Sequence, residues 1–282
     1  MHRATSPGTL YLVATPIGNR EDISLRALAT FKSVDFVLAE DTRHSGPLLS
    51  FLGIQKSMFA LHAHNEAKQS EVVLKRLLQG ESCALISDAG TPLISDPGYP
   101  LVKCAREMDI NVVPIPGPCA LIAALSASGV PCDVFTFAGF LPAKQAARQK
   151  KLNYFLAYEH TLVFYESTHR IVECLYDIVH IYGEDCPLVL AKELTKTHER
   201  FVMNTAGEVL AWLVEDSTHE KGEFVLIIPP RVTVSKSLQS IHHYLSVLMR
   251  DHPLKQAVKI VSELTGMNKN EVYMVALKQN QQ

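Results

Sequence analysis

The chain has 282 residues, of which 47% are hydrophobic and 20% charged, and its formal net charge is −2. This composition is typical of an ordinary soluble globular protein with an ample core and about two domains. The near-neutral charge excludes a protein coated in basic surface, so any nucleic-acid binding must depend on local clusters of Lys and Arg.

Two further classes are excluded by the cysteines and by the longest uncharged run. The six cysteines are widely spaced, which is unlike a disulfide scaffold or a zinc knuckle and fits a reducing cytoplasm. The uncharged run at residues 110–132 contains four prolines and two glycines, so it is too broken to span a bilayer as a helix. Residues 10–14 are too short for the apolar part of a signal peptide. We therefore expect a soluble, cytoplasmic protein with no membrane partner.

The first half of the chain alternates short apolar runs with amphipathic segments. The apolar runs predict strands at residues 9–14, 34–39, 83–86 and 111–115. Helices are predicted between them, with Ser24 as an N-cap and with Gly53 and Gly80 at two C-terminal ends. Asp96 and Pro97 are predicted to start a further helix, as its N-cap and first residue. This alternation predicts a mostly parallel, doubly wound sheet.

A second series of predicted strands and helices begins after residue 118. Apolar runs predict strands at 134–138, 161–165, 187–191 and 224–228, and a helix with a basic start is predicted at 144–158. The tail, residues 231–282, has apolar residues at helical spacing, and Gly266 is predicted to form a turn between helices. This arrangement is typical of a helix-turn-helix unit. Its last helix lacks concentrated basic residues, so packing or RNA contact is favoured over DNA binding. We predict an α/β fold in three parts: an N-terminal α/β domain at 1–118, a second α/β domain at 119–230 and a C-terminal helical module at 231–282.

The common nucleotide, metal and hydrolase motifs are missing. The sequence has no G-x-G-x-x-G, no G-x-x-x-x-G-K-[ST], no H-E-x-x-H and no G-x-S-x-G. His62 and His64 are the only close histidine pair, and two lone ligands rarely form a metal site, so a solvated loop is the better interpretation. We expect no metal.

Loops rich in Gly, Pro and polar residues follow most of the predicted strands. These loops lie at residues 15–19, 40–43, 87–98, 116–120, 165–170, 192–196 and 221–223. Ligands of open α/β sheets bind at the carboxyl ends of strands, so converging loops predict a cleft between the two α/β domains, although ordinary connectors are the alternative. Exposed main-chain groups in such loops suit a ligand with an adenine, ribose hydroxyls and a zwitterion. The residues alone do not identify that ligand.

Seven of these segments, in order, resemble the tetrapyrrole-methylase superfamily, and more narrowly its members that methylate ribosomal RNA. The segments are residues 8–19, Ala39-Glu40-Asp41-Thr42-Arg43, residues 87–98, Pro116-Gly117-Pro118, Phe164-Tyr165-Glu166-Ser167, Glu193-Leu194-Thr195-Lys196 and Lys221-Gly222-Glu223. The resemblance implies two α/β domains with a cofactor cleft between them, a homodimer and bound S-adenosylmethionine. It implies 2′-O-methylation of a cytidine ribose in the decoding region of small-subunit (16S) rRNA, either free or in the assembled 30S subunit.

The resemblance also implies which residues contact the cofactor. They are Pro16, Ile17, Gly18, Gly90, Thr91, Ile94, Cys119, Ala120, Tyr165, Glu193, Leu194 and Glu223. Two positions depart from the commonest pattern, because Cys119 stands where serine is frequent and Lys192 where arginine is. Cys119 would weaken a hydrogen bond to the cofactor, and Lys192 loses the bidentate geometry of a guanidinium.

Catalysis and RNA contact are assigned to charged residues at the strand ends. A positioned base would accelerate attack by a ribose 2′-hydroxyl roughly 10²–10⁴-fold. The candidates are Asp41, Glu166, Glu193 and Lys196, and the alternative is that they form salt bridges that frame the cleft. Phosphates are expected to contact Lys196 and the residues Arg43, Lys144, Arg148 and Lys221.

Two other functions remain open from the sequence. One is C-methylation of a porphyrin-like precursor by a member of the same superfamily, against which the tail and residues 39–43 argue. The other is a non-catalytic RNA-binding assembly factor that has kept the fold. A measurement of S-adenosylmethionine binding would distinguish the assembly factor, which is not expected to bind it, from the two methyltransferases, which are.

Overall fold

The structure is a computed structural model that describes residues 6–230 and 234–279. The chain divides into two compact units, residues 1–229 and residues 230–282. The first unit contains two five-stranded sheets. No helix in the described ranges is long and apolar enough to cross a membrane.

The first sheet is wholly parallel, as the alternation of strands and helices predicts. Its strands are ordered β3-β2-β4-β1-β5. They are β1 (Thr9–Val13), β2 (Phe36–Ala39), β3 (Ser57–Ala60), β4 (Cys83–Ile86) and β5 (Asn111–Ile115). The connecting helices are α1 (Leu25–Ser33), α2 (Thr42–Phe51), α3 (Glu66–Leu78) and α4 (Tyr99–Glu107). The loops that leave the strands therefore share one edge of this sheet.

Helices cover both faces of the first sheet. Strands β2 and β4 are buried at every residue, which explains why they are continuous apolar runs in the sequence. Leu38 and Leu85 belong to the hydrophobic core on one face, and Val37 and Ala84 belong to the core on the other. The parallel sheet is thus a buried layer that holds its strand-end loops rigidly.

The second sheet is mixed. Its strands are ordered β6-β7-β10-β8-β9, with β6 parallel to β7 and the other pairs antiparallel. They are β6 (Phe135–Phe140), β7 (Thr161–Ser167), β8 (Pro187–Lys192), β9 (Arg200–Thr205) and β10 (Glu223–Ile228). The helices of this part are α5 (Ala120–Ala127), α6 (Gln145–Phe155), α7 (Ile171–Tyr182) and α8 (Ala206–Glu215). Successive side chains of β7 point to opposite faces of the sheet. Phe164 therefore packs in a core with residues of α6, α7 and α8, whereas Val163 packs with residues of α5.

Three local features differ from the sequence-based expectations. The edge strands β3 and β9 were not predicted, and both have partly exposed residues that weaken the apolar signal. The predicted helix start at Asp96-Pro97 is wrong. Helix α4 has Gly98 as its N-cap, at φ +128°, and the Gly98 N–H donates to the Glu66 carboxylate at 2.5 Å.

The predicted division of the first unit at residue 118 stays a prediction. The first sheet ends with β5 at Ile115, the second begins with β6 at Phe135, and α5 lies between them in the chain.

The second unit is helical, as expected. It contains α9 (Val234–Leu248), α10 (Leu254–Thr265) and α11 (Lys269–Gln279). Ile241, Val261 and Val272 lie in its core, one from each helix. Gly266 ends α10 in the left-handed conformation, which is where glycine is favoured. Residues 231–233 and 280–282 of the predicted module lie outside the described residues.

Candidate active site

Three loops at the carboxyl edge of the first sheet are joined by hydrogen bonds. Thr15 and Gly90 form an antiparallel bridge, in which each N–H donates to the other's carbonyl at 2.9 and 3.0 Å. The Thr91 hydroxyl donates to the Pro118 carbonyl at 2.9 Å. The loops at 15–19, 87–98 and 116–120 therefore converge as the sequence predicts.

Loops of the second sheet join this group. The Asn19 N–H donates to the Thr195 hydroxyl at 3.0 Å. A Cβ at Gly18 would lie 2.8 Å from that hydroxyl oxygen and 3.0 Å from the Leu194 carbonyl oxygen, so only glycine allows this approach. The Thr168 hydroxyl donates to the Gly222 carbonyl at 2.6 Å and accepts from the Gly222 N–H at 2.8 Å.

These loops enclose a cavity of about 460 Å³. Most of the predicted cofactor contacts lie on its wall, namely Ile17, Gly90, Thr91, Ile94, Cys119, Ala120, Tyr165, Leu194 and Glu223. Pro16, Gly18 and Glu193 are not wall residues. Gly18 instead lies against the loop at 192–196, and Glu193 accepts a hydrogen bond from the Glu223 N–H at 2.9 Å.

Several wall residues were missed by the sequence-based prediction. They are Asp88, Ala89, Ser95, Asp96, Phe140, Ser167, Thr168, His169, Gly222, Phe224 and Val225, whereas Glu166, a predicted candidate base, does lie on the wall. Most of the missed residues belong to loops or strand ends that the sequence analysis identified as ligand-binding. Their location in those loops could therefore have predicted them as wall residues. Asp96 was instead assigned to a helix start, and Phe140 comes from a β-bulge that the sequence does not reveal.

Strained backbone is concentrated on two loops of this site. Five non-glycine residues have positive φ in the described part of the chain, and four of them are Leu93, Ser95, Glu193 and Thr195. Such conformations cost about 1–3 kcal/mol each and persist where the surrounding structure fixes them. The strain therefore marks the loops at 87–98 and 192–196 as shaped for a purpose other than connection.

The wall carries carboxylates and one histidine. None of the described wall residues is Lys or Arg. Burial, with the neighbouring Glu40 and Asp88 carboxylates, raises the pKa of Asp96 to about 6, and a hydrogen bond with Ser87 offsets part of the rise. The cavity therefore suits a cationic ligand and disfavours a bound phosphate.

Tyr165 links β7 to the start of α5. The Leu121 N–H, in the first turn of α5, donates to the Tyr165 hydroxyl oxygen at 2.9 Å. Burial and the neighbouring Cys119 raise the pKa of Tyr165, so its hydroxyl stays protonated at neutral pH. This bond satisfies one of the free N–H groups of the helix end and fixes Cys119 and Ala120 on the wall.

Two of the predicted catalytic residues, Glu193 and Lys196, are engaged in an ion-pair network. The Lys196 ammonium donates to the Glu193 and Glu223 carboxylates, each at 2.8 Å. Burial would raise the pKa of Glu193, but bonds from Lys196 and from the Glu223 N–H lower it. Burial would lower the pKa of Lys196, but its two carboxylate partners raise it. Lys196 is therefore a cation and not a base.

The third predicted catalytic residue, Asp41, is engaged elsewhere. It is the N-cap of α2, and Arg43 binds its carboxylate at 2.6 Å. Hydrogen bonds from the Arg43 side chain and backbone lower the pKa of Asp41 to about 2. Asp41 is not a wall residue, although its N–H donates to the wall residue Asp88 at 3.1 Å. Such a carboxylate is a poor proton acceptor.

The predicted RNA contacts separate into exposed and buried residues. Arg43, Lys144 and Lys221 are exposed. Arg148 has only 1% of its surface exposed, and its Nε donates to the buried Asp177 carboxylate of α7 at 2.6 Å. Its guanidinium is thus part of the core of the second sheet and is not open to a phosphate.

Comparison with known proteins supplies the family. Residues 9–210 match the family model described as Tetrapyrrole (Corrin/Porphyrin) Methylases, which is well over half of the chain. The chain belongs to this tetrapyrrole methylase family. Residues 240–280 of this methylase match the model described as the RsmI C-terminal HTH domain.

Relatives of this tetrapyrrole methylase match it almost from end to end. The ribosomal RNA small subunit methyltransferase I of Escherichia coli O157:H7 is 50% identical over 97% of this chain and 96% of its own length. The protein of the same name from Haemophilus influenzae is 51% identical over 96% of both chains. That from Pseudomonas aeruginosa is 46% identical over 97% of this chain and 98% of its own length.

Solved structures share the fold of the methylase. Uroporphyrin-III C-methyl transferase from Thermus thermophilus, complexed with S-adenyl homocysteine, has a TM-score of 0.55 and 19% identity, covering 79% of this chain and 97% of that one. A diphthine synthase has a TM-score of 0.61 and 14% identity, covering 79% of this chain and 90% of that one. The predicted fold class is confirmed.

Proposed function

We propose that this tetrapyrrole methylase transfers a methyl group from S-adenosylmethionine to small-subunit (16S) ribosomal RNA, at the ribose 2′-oxygen of a cytidine in the decoding region. The observation that carries the proposal is the nearly full-length match, at about half identity, to relatives named ribosomal RNA small subunit methyltransferase I. The match includes the C-terminal helical module, for which a porphyrin-like acceptor gives no reason.

The cavity suits S-adenosylmethionine in size and charge. Its volume of about 460 Å³ lies in the range of small-molecule sites, about 300–1,000 Å³. The carboxylates of Asp88, Asp96 and Glu223 suit a ligand with sulfonium and ammonium charges and ribose hydroxyls. A Cβ at Gly90 would lie 3.2 Å from Ile17 Cγ2, so the glycine keeps the two loops close while leaving the wall open.

When bound, the cofactor supplies an activated methyl group for in-line displacement. The residues of this chain contribute alignment, which accounts for a large share of catalysis in such reactions. Ile17, Leu194 and Val225 provide apolar wall that excludes water. Ala120, at the start of α5, would hold the ligand's carboxylate through its backbone N–H. The bonds that join the loops hold this wall in one arrangement.

RNA phosphates are proposed to meet the exposed cations near the cleft. Arg43, Lys144 and Lys221 are retained for this role, and Arg148 is omitted because it is buried. The resemblance of the motifs further supports a homodimer that acts in the cytoplasm on the assembled 30S subunit or on free rRNA, without DNA or membrane partners.

The proposal is tested on rRNA from cells with and without the gene. Nucleoside mass spectrometry of small-subunit rRNA is expected to show one 2′-O-methylcytidine fewer without the gene, restored by the wild-type gene. An unchanged count refutes the proposal.

Two in vitro measurements sharpen the result. Calorimetric titration with S-adenosylmethionine is expected to show binding, and its absence would favour a non-catalytic RNA-binding factor. Transfer of labelled methyl to 30S subunits is expected to be weakened by Lys221→Gln through a raised KM, because a phosphate contact is lost. Lys32→Gln is the matched control, since Lys32 is an exposed lysine near the end of α1. Equal KM values for the two variants remove Lys221 from the RNA surface.

A further inference from the structure

Phe140, the last residue of β6, is turned toward the cavity by a β-bulge. Phe137 pairs with Val163 of β7. Phe140 pairs with Tyr165, so β6 has one extra residue between the two pairs. In a regular ladder Phe140 would pair with Glu166 and would lie on the face that α6, α7 and α8 cover. The bulge instead places Phe140 on the face of Tyr165, where it lines the cavity.

Neighbouring residues fix this arrangement. Gly139, inside the bulge, has φ +61°, a left-handed conformation that glycine adopts without steric cost. A Cβ at Gly139 would lie 3.4 Å from Ser95 Oγ, so the bulge packs against the loop at 87–98. The Tyr165 and Phe140 rings meet edge to face, with their centroids 5.8 Å apart. The direction of the Phe140 ring is therefore set by the fold.

The connection from β6 to α6 is held by two guanidinium groups. Arg170 donates to the Leu141 carbonyl at 3.0 Å, and its guanidinium carbon lies 5.9 Å from the centroid of the Phe140 ring. The buried Arg148 donates to the Ala143 carbonyl at 3.2 Å. Because both carbonyls are held, this short connection is a rigid support beside the cavity.

The exposure of Phe140 places it at the mouth of the cavity. It is 48% exposed, whereas Leu194, another apolar wall residue, is buried. Small ligands are mostly enclosed by their sites, so the cofactor belongs to the interior. The acceptor must enter through the mouth, because its ribose oxygen has to reach the methyl group inside. Lys144, the exposed N-cap residue of α6, follows on the same connection.

We infer that Phe140 stacks on the base of the acceptor nucleotide, an assignment that rests on the proposed function. The base lies against the ring at the cavity mouth, the ribose 2′-oxygen faces the methyl group, and an adjoining phosphate meets Lys144. Proteins bind unpaired RNA bases in this way, on aromatic side chains. Every base has a π-face, so Phe140 fixes the position of the nucleotide and not its identity as cytidine.

The test compares Phe140→Leu, which keeps the apolar bulk without a ring, with Phe140→Tyr, which keeps the ring. Methyl transfer to 30S subunits from cells without the gene is measured at saturating S-adenosylmethionine, so that a loss of cofactor affinity does not affect the rate. We expect kcat/KM for the subunit to fall about 5- to 150-fold in Phe140→Leu, which is the contribution of one stacked base. Phe140→Tyr is expected to keep most of the wild-type value. Tyr176→Leu is the matched control and is expected to match the wild type, because Tyr176 is an aromatic residue of α7 that is 56% exposed and is not a wall residue.

Photochemical cross-linking provides a readout that a structural role would not change. The photoreactive analogue p-benzoylphenylalanine is placed at position 140, and its complex with 30S subunits and S-adenosylhomocysteine is irradiated and mapped by primer extension. We expect a cross-link at the target cytidine or at its immediate neighbours. The same analogue at position 176 is expected to give none there. A cross-link from position 140 only to distant rRNA, or only to the cofactor, overturns the inference.

Failure of the inference is distinguishable from failure of the proposed function. If the wild type methylates 30S subunits and Phe140→Leu does so equally well, Phe140 does not stack on the acceptor and the function stands. The same conclusion follows if the loss in Phe140→Leu disappears at saturating cofactor, because the ring then contacts the cofactor's adenine. It also follows if Phe140→Tyr loses as much as Phe140→Leu. If the wild type methylates neither 30S subunits nor free rRNA, the function itself is wrong.

Discussion

Replacing Gly18 with alanine tests the contact between the loops at 15–19 and 192–196. The new Cβ would lie 2.5 Å from Lys196 Cγ, 2.8 Å from Thr195 Oγ1 and 3.0 Å from the Leu194 carbonyl oxygen. Ordinary contacts between carbon atoms lie at about 3.5–4.0 Å, so the second loop must move by several tenths of an ångström or more. Lys196 cannot simply swing aside, because Glu193 and Glu223 hold its ammonium.

Overpacking of this kind costs about 1–3 kcal/mol. Leu194 carries the displacement to the cavity wall, so we expect S-adenosylmethionine to bind about 5- to 150-fold more weakly. Calorimetric titration measures the affinity, and thermal unfolding measures any strain retained in the ligand-free protein. Gly46→Ala is the matched control, because a Cβ at Gly46 in α2 meets nothing within 4 Å. Affinity and melting temperature that both match wild type in Gly18→Ala would refute the reasoning.

Three further substitutions test the packing and the charges. Arg148→Met leaves the buried Asp177 carboxylate without its cation, so urea unfolding is expected to show a loss of about 3–5 kcal/mol, and Arg148→Met with Asp177→Leu is expected to recover much of it. Tyr165→Phe removes the acceptor of the Leu121 N–H, which is expected to lower stability by about 1 kcal/mol; an unchanged melting temperature would contradict that role. Burial and Glu40 raise the folded pKa of Asp96 from 3.8 to about 6. Its ionisation therefore opposes folding, and the stability advantage of Asp96→Asn is expected to grow from about pH 4 to pH 6 and then level off. An advantage that does not vary with pH would contradict the raised pKa.

The sequence was sufficient for the buried strands and for the loops that follow them. Continuous apolar runs such as residues 36–39 and 83–86 mark strands covered on both faces, and glycine or proline marks where they end. The edge strand β3 could not be predicted, because its residues do not alternate between apolar and polar. Its exposed positions are Ser57 and Phe59, one polar and one apolar. Cofactor contacts at Ile17, Gly90 and Tyr165 were predicted through the family motifs, and the structure brings them to one cavity.

Residues whose roles depend on distant partners could not be predicted. Arg148 lies in a basic helix start, and nothing local indicates that it pairs with Asp177 on another helix. Asp96 precedes a proline, which is a common helix start, yet a positive φ at Gly98 delays α4 to Tyr99. The raised pKa of Asp96 depends on burial and on Glu40, which is remote in sequence and close only in the fold. None of these contacts can be predicted from the residues that neighbour each position in the sequence.

The acidic wall of the cavity has a consequence for turnover. Methyl transfer converts a sulfonium into a thioether, so the ligand loses one positive charge while the carboxylates of Asp88, Asp96 and Glu223 stay in place. Those carboxylates attract the cationic ligand and have no such attraction for the neutral sulfur that remains. The spent ligand therefore lacks one electrostatic attraction that the fresh ligand has. The charge of the wall contributes to exchange after each transfer in this one respect.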